Sequence, residues 1–241
     1  MTQELHNLAR PRRVLIVNAD DFGMSTGVNR GIVKSHEHGI VTSASLMTRW
    51  PAATEAAEYG RAHPQLSVGL HFELAEWVYR NHAWEQLYQV IPSDDADAVK
   101  AELERQLADF RRLMGRDPTH LDSHQHLHQR DPTKSIMMDC AQQIGVPLRS
   151  FTPSIQYCHQ FAGQTQRGEP YAEGISVANL VKILSGLPAG VTELGCHPGD
   201  DAALNSVYRL ERQIEVATLC DSAVREVIVR EAILLSSFAV V

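Results

Sequence analysis

Four groups of polar residues follow apolar runs at widely separated places in the sequence. They are an adjacent aspartate pair, a lone histidine, a histidine-rich segment and a late histidine, found at Asp20-Asp21, His71, 119–128 and His197. Carboxylates and neutral imidazoles bind divalent transition metals and act as general acids and bases. These residue types therefore indicate metal-assisted hydrolysis, provided that the fold brings the four groups together.

The aspartate pair stands at the end of the sequence LIVNADD. Two adjacent carboxylates repel each other, so a fold that buries both usually needs a cation or a proton between them. One carboxylate could then bind a metal while the other acts as a base. The alternative interpretation is a pair of turn or helix N-terminal aspartates, which is common after strands.

The segment DSHQHLH is the most informative of the four groups. In an extended chain alternate residues share a face, so Asp122, His124, His126 and His128 are predicted to point the same way. Such a row of imidazoles suits a divalent metal, and a neighbouring carboxylate often orients a ligand histidine through its second nitrogen. Because one mononuclear site cannot use all three histidines, the others would support the ligands or contact substrate. The alternative is an exposed polar strand end.

The two remaining histidines are each open to a structural and a functional interpretation. His71 lies in VGLHFEL and is either a metal ligand or a satisfied core histidine. His197 lies in CHPGDD, before a sharp turn, where it suits a general acid or base but also an ordinary loop. A nucleophilic role for Cys196 beside it is disfavoured, since adjacent strand residues point to opposite faces.

Apolar strand patterns alternate with helical periodicity along the chain, which predicts a single α/β domain over residues 1–241. Strands are predicted at 14–17, 40–47, 66–72, 119–126, 146–149, 191–196 and 238–241. Helices are predicted after a cap at Ser25 or Thr26, from Pro51, from Ser93 to Gly115, after Pro132, at 177–184 and twice before the last strand. Residues 75–92 are expected to be irregular, and 150–175 to form a long functional loop. Repeated βα units predict parallel strands whose carboxyl ends carry the site.

Composition excludes several classes of partner. The 241 residues carry a net charge of −7 without a basic block, so nucleic acid and anionic membrane surfaces are not expected partners. No run approaches the ~20 apolar residues of a transmembrane helix. The 4 cysteines are dispersed and predict reduced, buried thiols of a cytoplasmic protein. The apolar C-terminal segment EAILLSSFAVV leaves open a core strand or an interface, and hence a homodimer.

The motifs LIVNADDFGMS, SVGLHFEL, THLDSHQHLH and CHPG occur in this order between residues 14 and 199. Together they resemble the YdjC-like carbohydrate deacetylase family. The resemblance implies an irregular (β/α) barrel related to polysaccharide deacetylases, and metal-dependent removal of an N-acetyl group from an amino sugar or short oligosaccharide. Position by position it implies the following roles: Asp20 as base, Asp21, His71 and His124 as metal ligands, and His197 as acid. Asp122 and His126 are predicted from their spacing to support the ligands or contact substrate.

The cofactor implied is a divalent metal, Mg or Zn, although one carboxylate and two imidazoles also suit Mn, Co or Ni. The segment AEWVYRNHAW departs from the Gly/Pro-rich loop expected after the histidine of such relatives. Its Trp77 and Trp84 could stack on a pyranose ring, pack in the core or form an interface.

Two other functions remain open on the sequence. One is a different metallohydrolase, such as a phosphoesterase, for which Arg149 is the only obvious phosphate-binding residue. The other is a catalytically silent sugar-binding module on the same fold, although such a module needs no base beside a metal.

Overall fold

A curled sheet with helices packed against it forms the centre of the protein. The computed structural model describes residues 12–80, 82–200 and 206–241. The strands are β1 (Arg13–Phe22), β2 (Ser43–Leu46), β3 (Ser67–Phe72), β4 (Ala75–Arg80), β5 (Ala83–Gln89), β6 (Leu121–Ser123), β7 (Ile155–Cys158), β8 (Gly190–Cys196) and β9 (Ile233–Ser236). The helices are α1 (Thr26–Glu37), α2 (Ala53–Ala62), α3 (Ala96–Met114), α4 (Thr133–Ile144), α5 (Val177–Ser185), α6 (Leu210–Leu219) and α7 (Ser222–Arg230).

The sheet contains seven parallel strands in the order β6-β3-β2-β1-β8-β7, with β9 beside the first half of β1, among the residues described. Strands β6 and β7 are its two edges, so the curled sheet is a half-barrel that stays open between them. The predicted class, an irregular α/β barrel with parallel strands, is confirmed. Because parallel strands end at one rim, the polar residues at or just after the ends of β1, β3, β6 and β8 come together.

Local sequence explains where the helices around this sheet begin and end. The Ser25 Oγ atom accepts a hydrogen bond from the Val28 N–H at 3.1 Å and caps α1, as predicted. Helix α3 begins at Ala96, capped by Asp95 rather than by the predicted Ser93. It ends at Gly115, whose φ of 71° is the left-handed conformation that glycine adopts without strain.

The segment after β3 is not irregular, as the sequence pattern suggested, but an antiparallel hairpin of β4 and β5. The alternation is hidden because Glu76 is buried while the apolar Trp77 is exposed. Binary patterning therefore fails at a strand whose inward position carries a charge. The hairpin lies beside the rim and places the buried carboxylate of Glu76 close to His124.

The structure also corrects four other boundaries. The histidine-rich strand is only β6, and a 3-10 helix at His124–Gln129 replaces the rest. The last strand is β9, not 238–241. The expected strand at 146–149 is reduced to a single bridge between Leu121 and Leu148. The loop at 150–175 contains β7 and a second 3-10 helix, Ala172–Ile175.

Two predictions from composition can be compared with the structure. All four cysteines are free, but only Cys196 is fully buried, so the expectation of four buried thiols is wrong for the other three. No helix within the described residues is long and apolar enough to cross a bilayer. The single-domain interpretation of residues 1–241 stays a prediction, since 1–11, 81 and 201–205 lie outside the described residues.

Candidate metal centre and catalytic site

The aspartate pair lies within the last part of β1, where the pairing of β1 with β2 is irregular between Ala19 and Phe22. Asp21 has a φ of 67°, a left-handed conformation that aspartate tolerates better than most residues. A bulge of this kind re-aims side chains that would otherwise alternate across a strand. Both Asp20 and Asp21 therefore turn into the same buried rim.

One oxygen of Asp21 faces both predicted histidine ligands. The Asp21 Oδ1 atom lies 3.3 Å from His71 Nε2 and 3.1 Å from His124 Nδ1. One ligand atom from each residue lies within 4.8 Å of the other two, and all three side chains are buried. The structure thus brings together the carboxylate and the two imidazoles that the sequence predicted as metal ligands.

A second carboxylate fixes His71 from behind. The His71 Nδ1 atom lies 2.7 Å from Asp122 Oδ1, and the two residues are paired across β3 and β6. A ligand histidine held in this way keeps its other nitrogen directed at the metal. Asp122 therefore lies where it could orient His71, and its supporting role stays a prediction.

Asp20 is held by a buried arginine, Arg149, a pairing that the sequence did not predict. Arg149 donates two hydrogen bonds of 2.7 Å to the two Asp20 oxygens. It also contacts Asp122 at 2.8 Å and Glu193 at 2.7 Å. With three carboxylates around it and almost no exposure, Arg149 is not available to a phosphate, which removes the residue on which the phosphoesterase alternative depended.

A second buried arginine, Arg212 of α6, holds the other aspartate. It donates a 2.6 Å hydrogen bond to Asp21 Oδ2, on the oxygen opposite the two histidines. This leaves Asp21 Oδ1 free to face His71 and His124. Neither arginine stands in a motif, so only the folded chain reveals these pairs.

His197 follows β8 and lies on the Asp20 side of the site. Its Nε2 atom lies 3.8 Å from Asp20 Oδ2. The turn after it packs closely on α1, since a Cβ atom on Gly31 would lie 2.3 Å from Gly199 Cα. The His197 N–H donates to Glu215 of α6, so both helices position this histidine.

The two aspartates are ionised at neutral pH. Burial raises the pKa of Asp20, but the Arg149 guanidinium outweighs it and leaves that pKa lowered. For Asp21 burial is again outweighed, by Arg212 and the two histidines, so its pKa falls well below the ordinary value. Both carboxylates therefore carry the charge that a metal ligand and a general base require.

The histidines divide into two electrostatic groups. Burial lowers the pKa of His71, but Asp122 and Asp20 overcome it and raise that pKa to about 10. Burial dominates at His126 and lowers its pKa to about 3. It also lowers the pKa of His197, against the opposing effect of Asp20. The carboxylate-lined part of the rim thus attracts positive charge, whereas His126 and His197 are neutral.

The predicted common face of the histidine-rich segment is wrong, because the chain turns at once after Ser123. Gln125 and His126 adopt left-handed φ values of 49° and 54°, which break the alternation. His126 packs edge-on to Tyr157 at 5.6 Å, and Tyr157 in turn lies over Arg149 at 4.9 Å. His126 therefore lies beside the base rather than beside the predicted ligands.

The residues fit a divalent metal at Asp21, His71 and His124. A second set, Asp20, His71 and Asp122, is equally compact. Arg149, however, already forms ion pairs with both carboxylates of that set. The first set alone combines buried donors with an oxygen that both histidines face, and its composition suits a borderline transition metal.

Comparison with known proteins places this architecture in a family. Residues 14–230 match the family model described as YdjC-like protein, so the chain belongs to that family and the predicted family is confirmed. The chain is 32% identical to a chitooligosaccharide deacetylase of Serratia marcescens, covering 94% of this chain and 98% of the relative. It is 30% identical to a carbohydrate deacetylase of Thermoanaerobacter pseudethanolicus, over 95% and 99% of the two chains.

Solved structures agree on the fold. The crystal structure of a proposed cellobiose-phosphate cleavage protein from Enterococcus faecalis superposes with a TM-score of 0.73 at 25% identity, covering 95% of this chain and 98% of the other. A family 4 carbohydrate esterase from Streptomyces lividans, solved with acetate, superposes with a TM-score of 0.56 at 8% identity, covering 93% and 92%. The half-barrel is thus shared with polysaccharide deacetylases.

Proposed function

We propose that this protein is a metal-dependent N-deacetylase of amino sugars or short oligosaccharides. The observation that carries the proposal is that the two adjacent aspartates at the end of β1 face different partners. Asp21 faces the two histidines His71 and His124, while the adjacent Asp20 is turned toward His197. A metal-binding triad and an acid–base pair thus share one rim, as hydrolysis of an amide requires.

The enzyme class is confirmed by the relatives, which are named as carbohydrate deacetylases over nearly the whole chain. The finer assignment of an N-acetylated sugar substrate is part of the proposal. Mg and Zn remain the proposed metals, since one carboxylate and two imidazoles suit both. A cytoplasmic location and a homodimer also stay predictions.

Asp21, His71 and His124 would hold the metal, and the chain's other residues would move the protons. A divalent ion bound there supplies Lewis acidity, which lowers the pKa of water and polarises a carbonyl. Asp20 accepts a proton from the attacking water at Oδ2, which keeps a lone pair beyond its Arg149 hydrogen bond, whereas Oδ1 accepts from both Arg149 and Asn18.

His197 delivers a proton to the departing nitrogen when the carbon–nitrogen bond breaks. It is neutral at rest, because burial lowers its pKa, and its Nε2 lies 3.8 Å from Asp20 Oδ2. The proton that Asp20 takes from water can therefore pass to His197 and on to the amine. Water and the N-acetyl sugar become acetate and the free amino sugar, so the atoms balance.

The direct test measures acetate release from N-acetylglucosamine and chitooligosaccharides, with and without a chelator. We expect activity that the chelator abolishes and added Zn²⁺ or Mg²⁺ restores, with about one metal per chain. Asp20→Asn should reduce kcat by roughly 10²- to 10⁴-fold, the usual contribution of a general base. Asp94→Asn, an exposed carboxylate far from any such role, is the matched control.

Activity that resists the chelator, or full activity in Asp20→Asn, would contradict this mechanism. Release of phosphate from phosphoesters instead of acetate would favour the other metallohydrolase class. Sugar binding without turnover under every metal would indicate the silent binding module.

A further inference from the structure

Glu76 is a buried carboxylate beside the candidate metal centre that the mechanism above does not use. It lies on β4 of the hairpin and is only 1% exposed. Its Oε1 atom accepts hydrogen bonds from Ser206 Oγ at 2.8 Å and from the Val207 N–H at 3.1 Å. Its Oε2 atom has no hydrogen-bond partner within the part of the chain that the structure describes.

The unpartnered oxygen faces an unpartnered nitrogen. Glu76 Oε2 lies 4.0 Å from His124 Nε2, which is also buried and without a hydrogen bond to any described residue. The other nitrogen of this ring, Nδ1, lies 3.1 Å from Asp21 Oδ1. His124 therefore lies between the metal-binding carboxylate on one side and Glu76 on the other.

His71 has the same arrangement in a completed form. Its Nε2 faces Asp21 Oδ1 at 3.3 Å, and its Nδ1 lies 2.7 Å from Asp122 Oδ1. Each histidine of the pair thus has one nitrogen toward Asp21 and one toward a second carboxylate of its own. Such outer carboxylates fix the tautomer and ring orientation of metal-binding histidines.

We propose that Glu76 is the positioning residue of His124, the counterpart of Asp122 behind His71. The inference rests on the proposed metal site. A neutral imidazole that offers its Nδ1 lone pair to a metal carries its proton on Nε2, and a buried N–H needs an acceptor. Glu76 Oε2 faces that nitrogen at 4.0 Å and has no hydrogen-bond partner among the described residues, and closing this distance to a hydrogen bond of ~2.9 Å needs a shift of only about 1 Å.

The backbone next to Glu76 is tied to the segment that carries His124, so the contact of Glu76 with the candidate metal centre is built into the fold. The Trp77 N–H donates to Gln125 Oε1 at 2.9 Å, and Gln125 Nε2 donates to the Trp77 carbonyl at 2.8 Å. Gln125 directly follows His124. The chain segment that departs from the expected Gly/Pro-rich loop thereby becomes a support for a metal ligand.

The test compares the metal affinity of Glu76→Gln and Glu76→Ala with that of the natural protein, by calorimetric titration of the metal-free chain with Zn²⁺ and with Co²⁺. We expect Glu76→Ala to weaken binding 10- to 100-fold, the usual effect of losing such a support. Glu76→Gln keeps an acceptor of the same shape and should fall between. Glu85→Gln, which changes an exposed carboxylate of β5, should bind like the natural protein.

The visible spectrum of the Co²⁺-loaded chain separates positioning from a loss of folding. A misplaced His124 changes the bands of fully loaded protein, whereas partial unfolding only lowers the number of ions bound. Unchanged affinity and spectrum in both Glu76 variants would overturn the role of Glu76 and leave the metal proposal standing. Absence of metal binding in the natural protein would overturn the metal proposal itself.

Discussion

The rim of the parallel sheet and the hairpin beside it are built on different principles. At the rim, buried charges hold one another: Arg149 contacts Asp20, Asp122 and Glu193. On the outer face of the hairpin, Trp77 and Trp84 are exposed to solvent. A single substitution among the charged residues of the rim is therefore expected to destabilise the fold, whereas one on the outer face of the hairpin is not.

The difference follows from the energetics of burial. A charge removed from water is stable only when its partners remain in place, so loss of one partner leaves the others uncompensated. An exposed side chain has no such dependence, and its substitution rarely changes stability by more than ~0.5 kcal/mol. Substitution is therefore expected to be costly at the rim and well tolerated on the outer face of the hairpin.

The largest expected effect is on the stability of the rim. Arg149→Met removes the shared partner of three buried carboxylates and should lower the free energy of unfolding by roughly 3 to 5 kcal/mol. Urea denaturation followed by circular dichroism measures it. Arg112→Met, which loses only an exposed pair with Asp109, is the control and should change stability by less than ~1 kcal/mol. Equal stability of the two variants would remove the contrast.

The second prediction concerns Glu215 of α6, a buried carboxylate, and how the free energy of unfolding depends on pH. Burial raises the pKa of Glu215 to about 7 from an ordinary 4.5. The folded state therefore binds this proton more tightly than the unfolded state, and the resulting stability is complete below pH 4.5 and lost as pH rises through 7. At ~1.4 kcal/mol per pKa unit this amounts to roughly 3 kcal/mol.

Glu215→Gln keeps the shape of the side chain and an acceptor oxygen for one of its two donors, the Tyr208 hydroxyl or the His197 N–H, but loses the titration. We expect its free energy of unfolding to decline less between pH 4.5 and 7 than that of the natural protein. Thermal or urea unfolding at several pH values gives both curves. Parallel curves would contradict the prediction, and Glu226→Gln on the surface of α7 should leave the slope unchanged.

The smallest effect is expected at the hairpin. Trp84→Ala should change the free energy of unfolding by no more than ~0.5 kcal/mol, because the side chain is 55% exposed. If Trp84 stacks on a sugar ring, KM for an oligosaccharide should rise while kcat stays constant. A destabilisation above ~2 kcal/mol would instead mark the hairpin as part of the core and erase its distinction from the rim.

Much of the rim could be predicted because its residues stand at fixed points of a repeating pattern. The apolar runs of β1, β3 and β8 locate the sheet, and Asp21, His71 and His197 lie at or beside their carboxyl ends. Parallel strands bring those ends together whatever the loops do. The motif resemblance then supplied the roles, which stay proposals until the variants are measured.

The hairpin and the arginines could not be predicted in the same way. Alternation failed in the hairpin because Glu76 is buried and Trp77 exposed. It failed again after β6, where two left-handed residues turn the chain and separate His126 from His124. Both failures lie beside the site, where local preference gives way to functional geometry.

The sequence by itself determined the class of fold and the family, and it located Asp20, Asp21, His71 and His197 near strand ends, because periodicity and motif order are properties of the chain. Only the tertiary structure decided which charge neutralises which. Arg149 pairs with Asp20 across 129 positions and Arg212 with Asp21 across 191. Pairing over such distances depends on how the whole sheet curls, and no local pattern records it.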